Sequence, residues 1–195
     1  MSVGAPGGVA PAPRAGVRAP ATLVVPRFAL EGGAVLHDVT VAYHLDGPPD
    51  AVADDLVLVF HALTGTADAA GGWWRDVVGP GRAVDTTRRA VLCTNLLGSC
   101  YGTTGPAGPG AHRGAAFPVI TPRDMARLAQ HVVDHVGARS VALVVGGSLG
   151  GMVALEWALL HPGRARALVV LAAPAAHPAW ALGWSAVQRR ALALG

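Results

Sequence analysis

The sequence has no lysine; all 15 of its cationic side chains are arginines. That absence excludes a P-loop, whose phosphate grip needs a lysine ammonium. Acids thin out along the chain: after Asp134 only Glu156 remains, against Arg139, Arg164, Arg166, Arg189 and Arg190. The net charge of +3 therefore arises in the last third and points to no partner. The arginines are scattered, with no basic stripe interleaved with aromatics, so nucleic-acid binding is not indicated. Charged residues make up only 14% against 52% hydrophobic, a globular rather than a disordered composition. Two cysteines, Cys93 and Cys100, suit a reducing compartment rather than a disulfide framework. No apolar run approaches a membrane span. Arg14 and Arg18 interrupt the N-terminal stretch before any signal-peptide core of useful length. A soluble cytoplasmic protein without membrane contact is expected.

With 195 residues the chain can build one domain with a sizeable core. Residues 1–21 are rich in Pro, Gly and Ala and read as a disordered tail. From Thr22 the pattern changes. Leu23 to Val25, Arg27 to Leu30, then Val35, Val39 and Val41 to Leu45 predict an antiparallel hairpin, with Gly32-Gly33 as its turn. Continuous apolar runs follow at 56–60, 90–94, 141–145 and 167–171. Such runs fit strands buried on both faces of a parallel sheet. Helices fall between them. Thr121-Pro122 reads as an N-cap followed by Pro at the first helical position, and that helix stops at Gly137. A second helix follows Ser148 and ends at His161-Pro162-Gly163. Alternating strands and helices predict a mostly parallel sheet with covering helices.

Gly146-Gly147-Ser148-Leu149-Gly150-Gly151 lies between a predicted strand and a predicted helix. It matches G-x-S-x-G in the context that motif requires. A nucleophile presented at a strand-to-helix turn is held in a strained backbone, with neighbours packed closely on both sides. Glycine avoids Cβ clashes there, hence Gly146, Gly150 and Gly151. The helix start leaves N–H groups free, and the N–H of Leu149 is the expected oxyanion donor. A second donor is expected from the loop after the strand 56–60, where Leu63 of His61-Ala62-Leu63-Thr64-Gly65 is the candidate. A dinucleotide-binding turn is the competing reading. It lacks a G-x-G-x-x-G in register and an acid about 20 residues on.

With these motifs in order, the chain resembles homoserine O-acetyltransferases of the α/β-hydrolase superfamily. The resemblance rests on His61 to Gly65, Gly72-Trp73-Trp74, Gly79-Pro80-Gly81, Asn95 to Gly98 and Tyr101 to Pro106. It continues through Arg123-Asp124-Met125, Gly146 to Gly151, Ala154 to Trp157 and Val187-Gln188-Arg189. It implies an α/β-hydrolase-type sheet with flanking helices, over residues 22–195 as a partial domain whose C-terminal part is missing. It implies transfer of an acetyl or succinyl group from acyl-CoA to the hydroxyl of L-homoserine, in methionine biosynthesis. Ser148 would carry the acyl group, with Leu63 and Leu149 N–H on the oxyanion, and Arg189 would bind the amino-acid carboxylate. No cofactor is implied beyond acetyl-CoA or succinyl-CoA as co-substrate, and the full-length enzyme could be a homodimer. Related enzymes acylate serine, and the motifs do not separate the two acceptors.

After Ser148 the sequence holds no Asp, whereas this fold orders its triad as Ser, Asp or Glu, then His. Glu156 lies about two turns along the following helix and cannot reach back to orient an imidazole at Ser148. His161 reads as a helix-terminal residue and His177 as a loop residue. An N-terminal fragment or a truncated copy is expected, folding poorly alone because its sheet leaves an apolar edge open. His131 and His135 share a helix face but lack the H-E-x-x-H glutamate, so surface histidines are expected rather than a metal site. Trp73 and Trp74 read as core or lid packing. Two other functions share the sequence features: an esterase passing the acyl group to water, and an inactive remnant or interaction module.

Overall fold

A computed structural model describes residues 19–109 and 112–194. Most of the Pro/Gly/Ala-rich segment lies outside the described residues; its last residue, Ala21, already opens the first strand. That strand, β1 (Ala21–Ala29), pairs antiparallel with β2 (Val35–Asp46). Pro26 interrupts β1, and β1 is an edge strand, where a missing N–H costs no ladder bond.

The strands that follow are β3 (Leu56–Phe60), the short pair β4 (Val78–Gly79) and β5 (Val84–Asp85), then β6 (Val91–Thr94). Next come α1 (Pro122–His135), β7 (Val141–Gly147), α2 (Leu149–Leu160), β8 (Leu168–Leu171) and α3 (Ala179–Leu194). The main sheet has the order β1-β2-β6-β3-β7-β8. Strands β6, β3, β7 and β8 run parallel, and the hairpin joins antiparallel through β2 and β6. The four apolar runs are thus the parallel strands; β3, β6 and β7 are buried as their composition predicts, whereas β8, at the sheet edge, is largely exposed.

Strand alternation sorts the core into two layers. Leu56, Leu58 and Phe60 of β3 pack with Leu128, Val132 and Trp157 of the helices. Val57 and Val59 point the other way, to Trp74, Val78 and Val84. Both α1 and α2 therefore cover one face. The opposite face is covered by the irregular, glycine-rich segment around β4 and β5, not by a helix. A segment broken by Gly71, Gly72, Gly79 and Gly81 cannot hold helix, so it seals the sheet with single anchors such as Trp74.

Helix α1 starts as its sequence predicts. Thr121 caps it, and the Thr121 side chain accepts the Asp124 N–H while Asp124 receives the Thr121 N–H. The fully buried Asp124 also accepts the Glu31 N–H at 2.8 Å, tying the hairpin turn to the helix. At the far side, β8 is the edge of the sheet among the described residues. Leu168, Val169 and Leu171 of β8 remain partly exposed, and α3 buries none of its residues.

Candidate active site

Ser148 sits where β7 ends and α2 begins. Its backbone is left-handed, φ 54° and ψ −123°, and its side chain is exposed. A non-glycine residue held there is strained, and such strain survives only where the surroundings enforce it. The surroundings do so by close packing. A Cβ on Gly146 would lie 2.8 Å from the Gly151 nitrogen. One on Gly150 would lie 2.6 Å from the His61 carbonyl oxygen, and one on Gly151 would lie 2.6 Å from Ala173 Cβ. All three glycines are thus required by contact, while none of them has a positive φ. The Ser148 N–H donates to Leu171 O of β8 at 2.9 Å, which pins the bend from the other side.

The oxyanion candidates come together. Leu63 and Leu149 both line a cleft of about 470 Å³ at the carboxyl ends of the strands. Among the described residues neither of their N–H groups donates a hydrogen bond. Leu149 is the first residue of α2, so its amide also sits at the positive end of that helix. Further cleft wall comes from Leu96, Leu97 and Tyr101 after β6, and from Phe117, Ile120 and Met125 before and within α1.

A buried histidine holds the two loops in register. His61, at the end of β3, accepts the Leu96 N–H at Nε2, 3.1 Å away, so Nδ1 carries the proton and donates to Ala62 O at 2.7 Å. Asn95 lies 3.1 Å from the same Nε2 and reaches on to Ser99. Burial pushes the His61 pKa below 6.5, and the contacts with Ala62 and Asn95 oppose that only in part. His61 is therefore neutral near pH 7, as its acceptor role demands. Nothing in the sequence marks this contact, because 35 positions separate Leu96 from His61.

The remaining candidates lie elsewhere. Arg189 stands exposed on α3, is not a cleft residue, and has no hydrogen bond or ion pair among the described residues. Glu156 bonds Arg123 Nε at 2.8 Å and staples α2 to α1. His161 is the C-cap residue of α2 and packs tilted against Trp157 with ring centroids 5.0 Å apart. Its pKa is pushed down by burial first and by Arg164 second, with Asp134 opposing. His177 is exposed in the loop before α3. Among the described residues no side chain hydrogen-bonds the Ser148 hydroxyl.

His131 and His135 pack edge-on against Phe28 and Tyr43 on the helix surface. Among the described residues no group of three or more His, Cys, Asp or Glu could hold a metal ion. No helix there is long and apolar enough to cross a membrane. The two tryptophans divide their roles. Trp74 is buried as expected, whereas Trp73 is 67% exposed and its ring rests on Gly147, beside Ser148.

Known proteins share this fold. The model of the alpha/beta hydrolase fold family matches residues 55–194. The homoserine O-acetyltransferase of Trichormus variabilis is 48% identical over 169 residues, covering 85% of this chain and 47% of that protein. A homoserine O-acetyltransferase structure from Staphylococcus aureus superposes with a TM-score of 0.80 at 27% identity, over 90% of this chain and 53% of that one. The esterase E22 structure matches with a TM-score of 0.76 at 27% identity, over 82% and 49%. The chain spans about half the length of the curated relatives it matches. With the glycine-locked Ser148 bend, the parallel sheet and these matches together, the chain belongs to the α/β-hydrolase-fold family, and within it is similar in sequence to the homoserine O-acetyltransferases.

Proposed function

We propose that this chain is the nucleophile-bearing part of an acyl-CoA-dependent homoserine O-acyltransferase of methionine biosynthesis, working in the cytoplasm. The observation that carries the reading is the exposed Ser148 in a left-handed bend, next to a cleft walled by two residues whose amides are undonated. The sequence likeness to homoserine O-acetyltransferases supports the substrates.

In the proposed reaction, Ser148 Oγ attacks the thioester carbonyl and its proton leaves to a base. The carbonyl oxygen takes negative charge, which the N–H groups of Leu63 and Leu149 stabilise without reorganising. The C–S bond then breaks, coenzyme A leaves as its thiol, and the acyl group remains as an ester on Ser148. The homoserine hydroxyl attacks that ester, its proton passes to the base, and Ser148 is released. Arg189 is assigned the acceptor carboxylate, which its forked donors can engage at both oxygens. The resemblance assigns the base to a His, oriented by an acid, that follows in the longer family members.

The test is peptide mass spectrometry, after incubation with acetyl-CoA, of a protein that carries this chain together with the base-bearing segment of the longer family members. An acetyl ester on Ser148, absent from the Ser148→Ala variant, is expected, and L-homoserine should discharge it. An acetyl group on other residues with Ser148 unmodified would end the proposal.

The likeness to esterase E22 favours a second reading, in which water takes the acyl group. Arg189→Ala separates the two. It raises the amino-acid KM of a transferase and leaves ester hydrolysis unchanged.

A further inference from the structure

We propose that Trp73 is a specificity-determining residue: its indole screens the acyl ester on Ser148 from water and so keeps that ester for the amino-acid hydroxyl. The inference rests on the reading of Ser148 as the acylated residue.

Exposure singles the ring out. Among residues 19–109, the two most exposed large apolar side chains are Leu63 and Trp73, at 73% and 67%. Both lie in the segment between β3 and β4. Leu63 shares the cleft of Leu149, the residue after Ser148. Trp73 touches Gly147, the residue before it. Single exposed apolar side chains are ordinary on a surface. Two that flank one reactive hydroxyl give that hydroxyl an apolar surround.

The indole is held in place. A Cβ on Gly147 would lie 3.2 Å from Cζ3 and Cη2 of Trp73, so the ring edge stands where a side chain at 147 would stand. Gly147 has no positive φ; the ring is what crowds a methyl there. The buried Trp74 packs edge-on against Trp73, with ring centroids 5.2 Å apart and 78° between the planes. The turn before the pair is fixed as well. Asp68 accepts the Gly71 N–H at 2.9 Å, and a Cβ on Gly72 would strike the Asp68 carbonyl oxygen.

Chemistry gives the held ring its use. Hydrolysis joins a water oxygen to the acyl carbon and breaks the bond from that carbon to Ser148 Oγ. One water proton ends on Oγ and the other leaves with the acid product. An attacking water must be held in line by polar partners. The edge beside Gly147 is carbon, not the edge that carries Nε1, and supplies none. Excluding water in this way protects a reactive intermediate. An amino acid differs, because its charged ends bind elsewhere and carry its hydroxyl in.

The experiment uses the protein that carries this chain with the base-bearing segment, loaded by p-nitrophenyl acetate, a donor that needs no coenzyme A. After excess donor is removed, acetyl on Ser148 is followed by peptide mass spectrometry, first without acceptor and then with L-homoserine. In Trp73→Ala, loss of the ester to water should run about tenfold faster than in the unaltered protein. Trp73→Phe should stay close to the unaltered rate. Gly147→Ala, whose methyl pushes the indole outward, should speed the loss several-fold and add little once residue 73 is already Ala. Discharge by homoserine should gain less than loss to water, so the share of acetyl reaching the acceptor falls. A ring that served the fold alone gives the opposite sign, because a disordered site hydrolyses its ester more slowly.

Loss to water that is unchanged or slower in Trp73→Ala overturns the proposal; acetyl-Ser148 still forms, so the Ser148 reading stands. An equal gain in both discharges also overturns it, since the ester is then merely more reactive. No acetyl on Ser148 in the unaltered protein ends both readings. Gly147→Ala decides by the same signs if Trp73→Ala does not fold.

Discussion

Gly150 has no room for a side chain because His61 is behind it: a Cβ there would lie 2.6 Å from the His61 carbonyl oxygen. The start of α2 and the end of β3 are thereby locked together. Leu149 is the first residue of α2 and Leu63 follows β3, so the separation of the two amides depends on this contact.

Gly150→Ala should therefore act on both stability and site geometry. Forcing a methyl against backbone costs about 1–3 kcal/mol, since backbone cannot rotate away as a side chain can. A lower urea midpoint with the same slope is expected, together with loss of any Ser148 acylation. An unchanged midpoint would mean that the helix start is looser than this packing.

Asp124 should matter more than any exposed ion pair. Its carboxylate is fully buried and accepts the N–H groups of Glu31 and Thr121. Asp124→Ala leaves both amides without an acceptor and should cost about 3 kcal/mol. Asp124→Asn keeps one amide oxygen and should lose less. The exposed pair Arg139–Asp54 is the contrast, and Arg139→Ala should leave stability nearly unchanged. Chemical denaturation of the three variants ranks them, and equal effects would be wrong for this structure.

Acid should weaken the fold through His61. Its pKa in the folded chain lies below 6.5, so the unfolded chain takes the proton first. Stability is then full above about pH 6.5 and falls as the pH drops below it. His161 is shifted in the same direction and adds to the loss. Urea midpoints measured at about pH 7.5 and about pH 5.5 should differ less in His61→Gln than in the unaltered chain. Identical differences would mean that His61 does not titrate between the two states.

The two thiols should separate cleanly. Burial, reinforced by the negative charges of Asp68 and Asp46, pushes the Cys93 thiol far up, while Cys100 is exposed. An aromatic disulfide reagent should titrate one thiol per chain under native conditions and two in urea. Two fast thiols without denaturant would contradict the closed layer formed by Val57, Val59 and Trp74.

The free side of the sheet should associate. Val169 is 40% exposed on edge strand β8, and Trp180 and Trp184 stand 75% and 55% exposed on α3. Unpaired strand edges and apolar surface promote self-association. Val169→Lys should lower light scattering of the purified chain several-fold at equal concentration. A chain that already sediments as a single monomer would leave nothing to lower.

Much of the site was legible in the sequence because its signals are local. The glycines around Ser148 are spaced by what a sharp strand-to-helix bend tolerates, and Gly150 and Gly151 meet the clashes that spacing anticipates. Thr121-Pro122 announced the start of α1 because capping needs only neighbours. Other parts were illegible. The placement of α1 and α2 on one face was not visible, since an apolar stripe says that a helix packs but not where. Trp73 read only as core or lid packing, and the structure alone shows it open against Gly147.

Taken alone, the sequence determined the α/β alternation and the strand-to-helix bend at Ser148. Each of these follows from backbone sterics and periodicity over a few adjacent positions. Tertiary structure alone decided that β6 enters between β2 and β3, that Glu156 serves Arg123, and that His61 joins Leu96. It also decided that Leu63 and Leu149 share one apolar cleft. Those outcomes depend on groups tens of residues apart meeting across a packed core, where burial and shape choose the partner and no local pattern records it.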